Sequence, residues 1–187
     1  MGSPPDRNDG PVDAEHDAEL PRSLPAAARE VEEFVASGGW DQPIQLFALV
    51  STSALLAREP NLVGQVDPGS TLTPIAQDAL PDGDLAEALS GIEWPDAVDG
   101  CALAQEIVVL PPGADGAESE EGLAVSPEEA ANHPERREAR LVAAVLRDGS
   151  AACVLRLRAD DLVPEEIVEH PELAPNLVTA LRATLRP

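Results

Sequence analysis

The amino-acid sequence predicts a single α+β domain with a mainly antiparallel sheet and helices packed on one face of it. The first observation is a β-hairpin pattern in residues 140–158, where two runs rich in valine and leucine flank Asp148-Gly149. The second is that helical and strand periodicities follow one another along the rest of the chain. The third is size, because 187 residues with 43% hydrophobic residues are enough for one ordinary core.

The hairpin pattern also predicts which residues share a face. A two-residue type I′ turn at Asp148-Gly149 places Arg147 opposite Ser150 and so sets the register. The face that we assign to the core then contains Val142, Ala144, Leu146, Ala151, Cys153, Leu155 and Leu157. The opposite face is half apolar and carries arginines towards its ends; it contains Leu141, Ala143, Val145, Arg147, Ala152, Val154, Arg156 and Arg158. We expect helices of the same protein, or a partner, to cover it.

The chain begins with an acidic segment that is rich in proline and glycine. Residues 1–22 contain almost no large apolar side chains, so we expect a disordered acidic tail and place the domain at 23–187. Ser23 is a suitable N-cap for a first helix that ends at Gly38-Gly39. Helical spacing predicts an inward stripe of Leu24, Ala27, Ala28, Val31, Phe34 and Val35, with Arg29, Glu30, Glu32 and Glu33 facing water.

The remaining elements follow from turn residues and apolar runs. The predicted order is a central strand at 44–50, a short helix capped by Thr52 or Ser53 and ended by Pro60, a weak edge strand at Thr71-Leu72-Thr73 limited by Pro74, a helix from Asp82 or Asp84, and a strand at 101–110. An acidic loop at 111–123 and a short helix from Ser126 precede the hairpin, and a helix at 175–185 closes the chain. The predicted inward residues of the 101–110 strand are Cys101, Leu103, Gln105, Ile107 and Val109, and those of the closing helix are Leu177, Ala180, Leu181, Thr184 and Leu185.

Composition restricts the partners and the compartment. The formal net charge of -23, from 35 acidic and 12 basic residues, argues against nucleic acid and anionic membranes as partners. Every basic residue is an arginine, a pattern that we attribute to a GC-rich genome; halophilic adaptation is the alternative explanation of the acidity. We find no signal peptide and no apolar run long enough to span a membrane, so we expect a cytoplasmic protein.

No pattern of residues predicts catalysis, a cofactor or a metal site. The sequence has neither a phosphate-binding glycine loop nor a nucleophile elbow. Cys101 and Cys153 fall within predicted strands, where a thiol is usually an inert small hydrophobe. His16, His133 and His170 lack the spacing of zinc ligands. We therefore expect a protein without catalytic residues, cofactor or metal.

Three stretches carry a family resemblance. They are GWDQPIQLFALVSTSALLAREP from Gly39, GIEWPDAVDGCALAQEIVVLPP from Gly91, and HPERREARLVAAVLRDGSAACVLRLR from His133. Together they resemble a small, uncharacterised family of actinobacterial proteins known from structural genomics, over about residues 24–186. The resemblance implies a cytoplasmic single-domain protein and brings no activity, cofactor or catalytic residue. The predicted order of elements is also loosely similar to that of small acidic secretion chaperones, which is an analogy of fold alone.

These observations favour a non-enzymatic adaptor or chaperone-like protein that binds a protein partner or a second copy of itself. The alternative is a small enzyme or ligand-binding domain with a site near Trp40, Trp94 and His133, because Trp-Asp and Trp-Pro-Asp place aromatic walls beside carboxylates. A third hypothesis is that the acidic surface imitates nucleic acid for a basic partner. The residues that we select as a partner or pocket surface are Trp40, Asp41, Trp94, Asp96, His133, Arg136, Arg156 and Arg158.

Overall fold

The computed structural model describes residues 12–110 and 132–186, and the side chains of the first helix from residue 18 onward. Its strands are β1 (Gln45–Ser51), β2 (Leu72–Ala76), β3 (Gly100–Val109), β4 (Arg137–Leu146), β5 (Ala151–Leu157) and β6 (Glu166–Glu169). They form one open sheet in the order β2-β1-β3-β4-β5-β6, and every neighbouring pair is antiparallel. The helices are α1 (Val12–Ala36), α2 (Thr52–Arg58), α3 (Leu85–Ser90) and α4 (Pro175–Thr184), with a short 3-10 turn at Pro60–Leu62. This arrangement confirms the single α+β domain with an antiparallel sheet.

Helices cover both faces of the sheet. The first core lies under α1 and is built largely from small and branched side chains, among them Ala28, Val31, Ala102, Val142 and Ala144. The second core lies on the opposite face, under α3 and α4, and contains Leu103, Leu141, Val145, Leu155 and Leu181. The prediction of helices on one face is therefore wrong. Residues 141–146 of β4 are buried without interruption, as in a strand that packs on both sides.

The register of the hairpin differs from the prediction by one residue. Val145 lies opposite Ala151, and Ala144 lies opposite Ala152. Gly149 has a φ of 92°, whereas Asp148 is not among the residues with positive φ, so the connection is a longer turn closed by a left-handed glycine and not a type I′ turn. The even-numbered residues 142–146 consequently share the α1 face with Ala152 and Val154, while Cys153 and Leu155 lie on the other face. Both faces of the hairpin are thus covered by the protein's own helices, α1 on one side and α3 and α4 on the other.

The first helix begins at Val12, well before the predicted start at Ser23. Residues 12–22 of the predicted tail belong to it, and residues 1–11 lie outside the described residues. The Ser23 hydroxyl does not cap the helix; it donates to the carbonyl of Leu20 at 2.8 Å. Pro21 and Pro25 lie inside the helix, and each destabilises it because proline has no amide donor. The burial of Leu20 in the first core helps to offset this loss and stabilises the helix on the N-terminal side of the two prolines.

The short elements agree in part with the sequence. β2 contains Pro74 and is an edge strand, as predicted. Asp84 caps α3 by accepting from the amide of Glu87, but α2 is capped by Ser51 and not by Thr52 or Ser53. β6 was not predicted. The acidic loop at 111–123 and the short helix expected from Ser126 lie outside the described residues.

At Gly100, β3 approaches β4 too closely for any side chain. A Cβ built on Gly100 would lie 2.3 Å from the carbonyl oxygen of Val145 and 2.7 Å from a methyl group of Leu146. Glycine at this position therefore lets the central strands pair at the end of the sheet that carries the hairpin turn.

Candidate functional site

A buried ion network joins α1 to the centre of the hairpin. Arg140 of β4 and Arg156 of β5 lie directly opposite each other, an arrangement in which like charges repel. Glu32 of α1 is only 2% exposed and lies against both. Its carboxylate accepts from Arg156 Nε at 2.5 Å and Nη2 at 2.6 Å, and from Arg140 Nη1 at 3.4 Å. The network thus replaces a repulsive arginine pair with an attractive triad that ties the helix to the sheet.

The outer members of the network complete its charges. Arg140 is 1% exposed; its Nη2 donates to the carbonyl of Gly39 and lies 3.6 Å from Glu106. Arg156 also pairs with Glu165, and hydrogen bonding to Glu32 raises the pKa of its guanidinium. Among the described residues, the buried side-chain atoms without a hydrogen-bond partner are the Nε atoms of Arg137 and Arg140. Both arginines therefore have carboxylate partners within the protein, and the network holds α1 against β4 and β5.

Trp40 lies at the rim of this network. The guanidinium carbon of Arg140 is 4.5 Å from the centre of a Trp40 ring, and that of Arg158 is 5.2 Å away. Both distances fit cation–π contacts. The neighbouring Asp41 has a φ of 64°, and the Asp41 amide donates to a carboxylate oxygen of Glu106 at 3.0 Å. Of the predicted surface residues, Trp40, Asp41, Arg156 and Arg158 therefore belong to one neighbourhood.

Trp94 lies on the other side of the sheet. Its indole Nε1 donates to the hydroxyl of Thr184 in α4 at 2.9 Å, and its ring packs against the second core. Asp96 follows it in an exposed turn. The structure consequently places Trp94 and Trp40 on opposite sides of the sheet.

His133 and Arg136 lie in the turn before β4. The Nδ1 atom of His133 accepts from the amide of Glu135 at 3.1 Å, and the amide of Arg136 donates to the carbonyl of His133 at 3.2 Å. These bonds close a local turn. His170 forms the same kind of bond, because its Nδ1 accepts from the amide of Glu172 at 3.2 Å.

The thiols are buried, as the sequence predicts. Cys101 is fully buried, and its burial raises its pKa to about 11, although the hydroxyl of Thr184 at 3.7 Å opposes the shift. Burial also raises the pKa of Cys153. At neutral pH neither sulfur is a thiolate, so neither has the form that attacks electrophiles or binds metals.

The outer edge of the sheet at β6 has a different character. Leu162 is 93% exposed and Ile167 is 51% exposed, and Val163 between them is also exposed. The loop before β6 is ordered by Asp160, whose carboxylate accepts from the amides of Leu162 and Val163 at 2.8 Å each; these bonds lower its pKa. The protein therefore holds apolar side chains in water on a well-defined turn and strand.

A cavity of about 260 Å³ lies beside the same edge. It is lined by Pro25 of α1, by Ala151–Val154 of β5 and by Glu169, His170 and Pro171. Arg29 of α1 donates to both carboxylate oxygens of Glu169, at 2.5 Å and 2.9 Å, and this pairing lowers the pKa of Glu169. The cavity thus has mostly apolar walls and one compensated carboxylate.

Residues 12–110 and 132–186 contain no cluster of three or more histidine, cysteine or acidic side chains that could hold a metal ion. None of the helices in those ranges is both long and apolar enough to cross a membrane.

A profile of the PPA1309-like protein family matches residues 24–186, which is most of the chain. The chain belongs to this family. The matched region includes the second core, the first core except Leu20, the Glu32 network and the β6 edge. No curated protein and no solved structure matches the chain.

Two features of the structure, the Glu32 network and the β6 edge, were not predicted from the sequence. Glu32 was assigned to water although it lies four residues after Ala28 and three before Val35, inside the apolar stripe. Arg140 likewise alternates with Val142 and Ala144. An acidic residue on the apolar face of a helix and a basic residue on the apolar face of a strand together indicate a buried ion pair, and this was the available signal for the network. The β6 edge had no comparable signal, because four residues are too few to show alternation.

Proposed function

We propose that this protein is a non-enzymatic binding protein that docks a protein partner along the β6 edge of its sheet. The observation that carries the proposal is the set of exposed apolar side chains at Leu162, Val163 and Ile167. Helices α1, α3 and α4 cover the two faces of the sheet, whereas this edge keeps large apolar groups in water. Clustered exposed apolar groups are typical of interaction surfaces.

Charge indicates the kind of partner. With a net charge of -23 the protein repels acidic surfaces and attracts basic ones over long range. A partner that presents apolar side chains among arginines or lysines would bury Leu162 and Ile167 and gain from the surrounding potential. Nucleic acid and anionic membranes are negatively charged and bind positively charged surfaces, so the net charge of this protein disfavours both as partners.

The test uses charge-introducing variants on the edge and a matched variant elsewhere. Partners retained by the tagged protein in its native host are identified, purified and mixed with it, and the mass of the complex is measured by light scattering. We expect a stoichiometric complex that Ile167→Glu abolishes and Val63→Glu preserves, since Val63 is 70% exposed and precedes β2, the strand at the opposite edge of the sheet from β6. A complex that survives Ile167→Glu together with Leu162→Glu, or the absence of any stoichiometric complex, would contradict the proposal.

We also infer a cytoplasmic location and an actinobacterial origin. Cys101 and Cys153 are both free and buried, as is common in reducing compartments. The exclusive use of arginine among basic residues, with abundant alanine, glycine and proline, supports a GC-rich lineage. Fractionation of host cells that places the protein outside the cytoplasm would overturn the first inference.

A further inference from the structure

Strand β5 extends beyond its outer neighbour. β6 pairs with Val154–Leu157, and one more hydrogen bond, from the amide of His170 to the carbonyl of Cys153 at 3.2 Å, continues the ladder. The ladder then ends at Pro171, whose carbonyl accepts from the thiol of Cys153 at 3.7 Å, and the bond from the amide of Glu172 to His170 Nδ1 closes a turn there. The first residues of β5 therefore form an outer edge of the sheet within the described part of the chain.

The ladder geometry directs main-chain groups of this segment outward. The amide of Leu146 donates to the carbonyl of Ser150 at 3.0 Å, so the main-chain groups of Ser150 and Ala152 face β4. Those of Ala151 and Cys153 face the other way, as the bond from His170 to Cys153 shows. An edge of this kind is a template on which a further strand can pair.

The cavity lies where a side chain of such a strand would enter. Pro25, Ala152, Val154 and Pro171 form apolar walls, and Glu169 and His170 also line the cavity. Its volume of about 260 Å³ is below the roughly 300–1,000 Å³ of small-molecule sites, so it suits an apolar side chain better than a cofactor. Strand addition uses this combination, in which main-chain bonds provide affinity and a pocket for alternate side chains provides specificity.

We propose that an extended basic segment of a protein partner adds to the sheet along Ala151–Cys153, in line with β6, and places one apolar side chain in the cavity. The inference deepens the proposed function and depends on it. Charge selects the occupant, because a segment rich in arginine or lysine is attracted by a net charge of -23. A second copy of this chain brings the same negative charge and is repelled.

The probe is a synthetic peptide of nine residues that alternates arginine with valine and leucine. A second peptide in which glutamate replaces every arginine is its control. Binding is followed by amide chemical shifts and hydrogen exchange in the full chain. We expect the arginine peptide to protect the amides of Ala151 and Cys153 and to bind at least about tenfold more tightly than the glutamate peptide, with weaker binding as salt rises.

Two variants test the location. Pro25→Trp places a large ring at the cavity, and Ala26→Trp places the same ring on the neighbouring exposed position of α1. We expect Pro25→Trp to weaken binding at least about tenfold and Ala26→Trp to leave it unchanged. The melting temperature of Pro25→Trp should be no lower than that of Ala26→Trp, because it also restores an amide donor inside α1. Ala151→Pro removes an outward amide without breaking the ladder to β4, and it should weaken binding as well.

The outcomes separate this inference from the proposed function. Equal binding of both peptides, no binding of either, or protection elsewhere in the protein overturns strand addition at β5, while the partner complex that depends on Ile167 would still stand. Self-association of the protein that Pro25→Trp abolishes would assign the edge to a second copy and overturn the basic segment. Loss of the partner complex itself would refute the proposed function.

Discussion

Replacing Glu32 by glutamine keeps the shape of the side chain and removes the negative charge that Arg140 and Arg156 share. Arg140 is then left 1% exposed beside Arg156, with its nearest remaining carboxylate, Glu106, at 3.6 Å. Removing one partner of a buried ion pair costs about 3–5 kcal/mol, because the other charge stays desolvated. Arg156 keeps 16% side-chain exposure and its pairing with Glu165. We therefore expect the lower end of that range, about 3 kcal/mol.

This loss is large against a typical stability of about 5–15 kcal/mol. For a domain of this size, it corresponds to a decrease of about 6–12 °C in melting temperature. The assay is urea unfolding followed by circular dichroism, with thermal unfolding as a second measurement. Glu33→Gln is the matched control, because Glu33 is the exposed neighbour on the same helix and should change stability by no more than about 0.5 kcal/mol.

The reasoning would be refuted if Glu32→Gln and Glu33→Gln had the same effect. A double variant provides a further check. Arg140→Met alone leaves Glu32 with Arg156, whereas Glu32→Leu with Arg140→Met replaces the most buried pair by apolar groups. The double variant should be more stable than the sum of the two single changes predicts, since a buried ion pair and apolar residues of similar volume are often equivalent.

Four further predictions concern the sheet and its second core. Gly100→Ala should lower stability by about 1–3 kcal/mol in urea titrations, because its Cβ would meet the carbonyl of Val145; an unchanged midpoint would contradict the close approach. Cys101 and Cys153 should not react with a thiol reagent at pH 8 until the protein unfolds, and a fast stoichiometric reaction would contradict their burial. Because the pKa of Cys101 rises from 9.0 to about 11 on folding, the unfolded state loses this proton first, and stability should fall as pH rises through that interval. The guanidinium of Arg147 donates to four carbonyls and so joins the end of α4 to the turn after α3. Arg147→Ala removes these bonds, so hydrogen exchange of the amides at this end of α4 should accelerate, while that of the β4 amides should stay slow.

Periodicity made most of the elements predictable. Leu24, Ala27, Ala28, Val31 and Val35 of the predicted α1 stripe and the apolar run of β4 are buried, and burial imposes regular spacing on a helix or strand. Phe34, predicted to lie on the same stripe, is 58% exposed, so that part of the prediction is wrong. The register of the hairpin was not predictable in the same way. Asp148-Gly149 suits both a two-residue turn and a longer turn with a left-handed glycine, and the two differ by one residue, which exchanges the faces of a strand.

The candidate site was predictable only in part. Sequence selected Trp40, Arg156 and Arg158, which the fold does bring into one neighbourhood. It grouped them with Trp94 because Trp-Asp and Trp-Pro-Asp both place an aromatic ring beside a carboxylate. Such a local pattern contains no information on which face of a sheet a loop will cover. Glu32 was missed because charged residues are normally assigned to water, and only its partners on β4 and β5 justify its burial.

The placement of the two tryptophans on opposite sides of the sheet has a spectroscopic consequence. The chain contains no tyrosine, so fluorescence excited at wavelengths that phenylalanine does not absorb comes from Trp40 and Trp94 alone. A Trp94→Phe protein would emit only from the α1 side, and a Trp40→Phe protein only from the side of α4. If unfolding transitions followed by fluorescence coincide in the two proteins, the two layers on either side of the sheet unfold as one cooperative unit. If the transitions are separated, they give the order in which the two layers unfold.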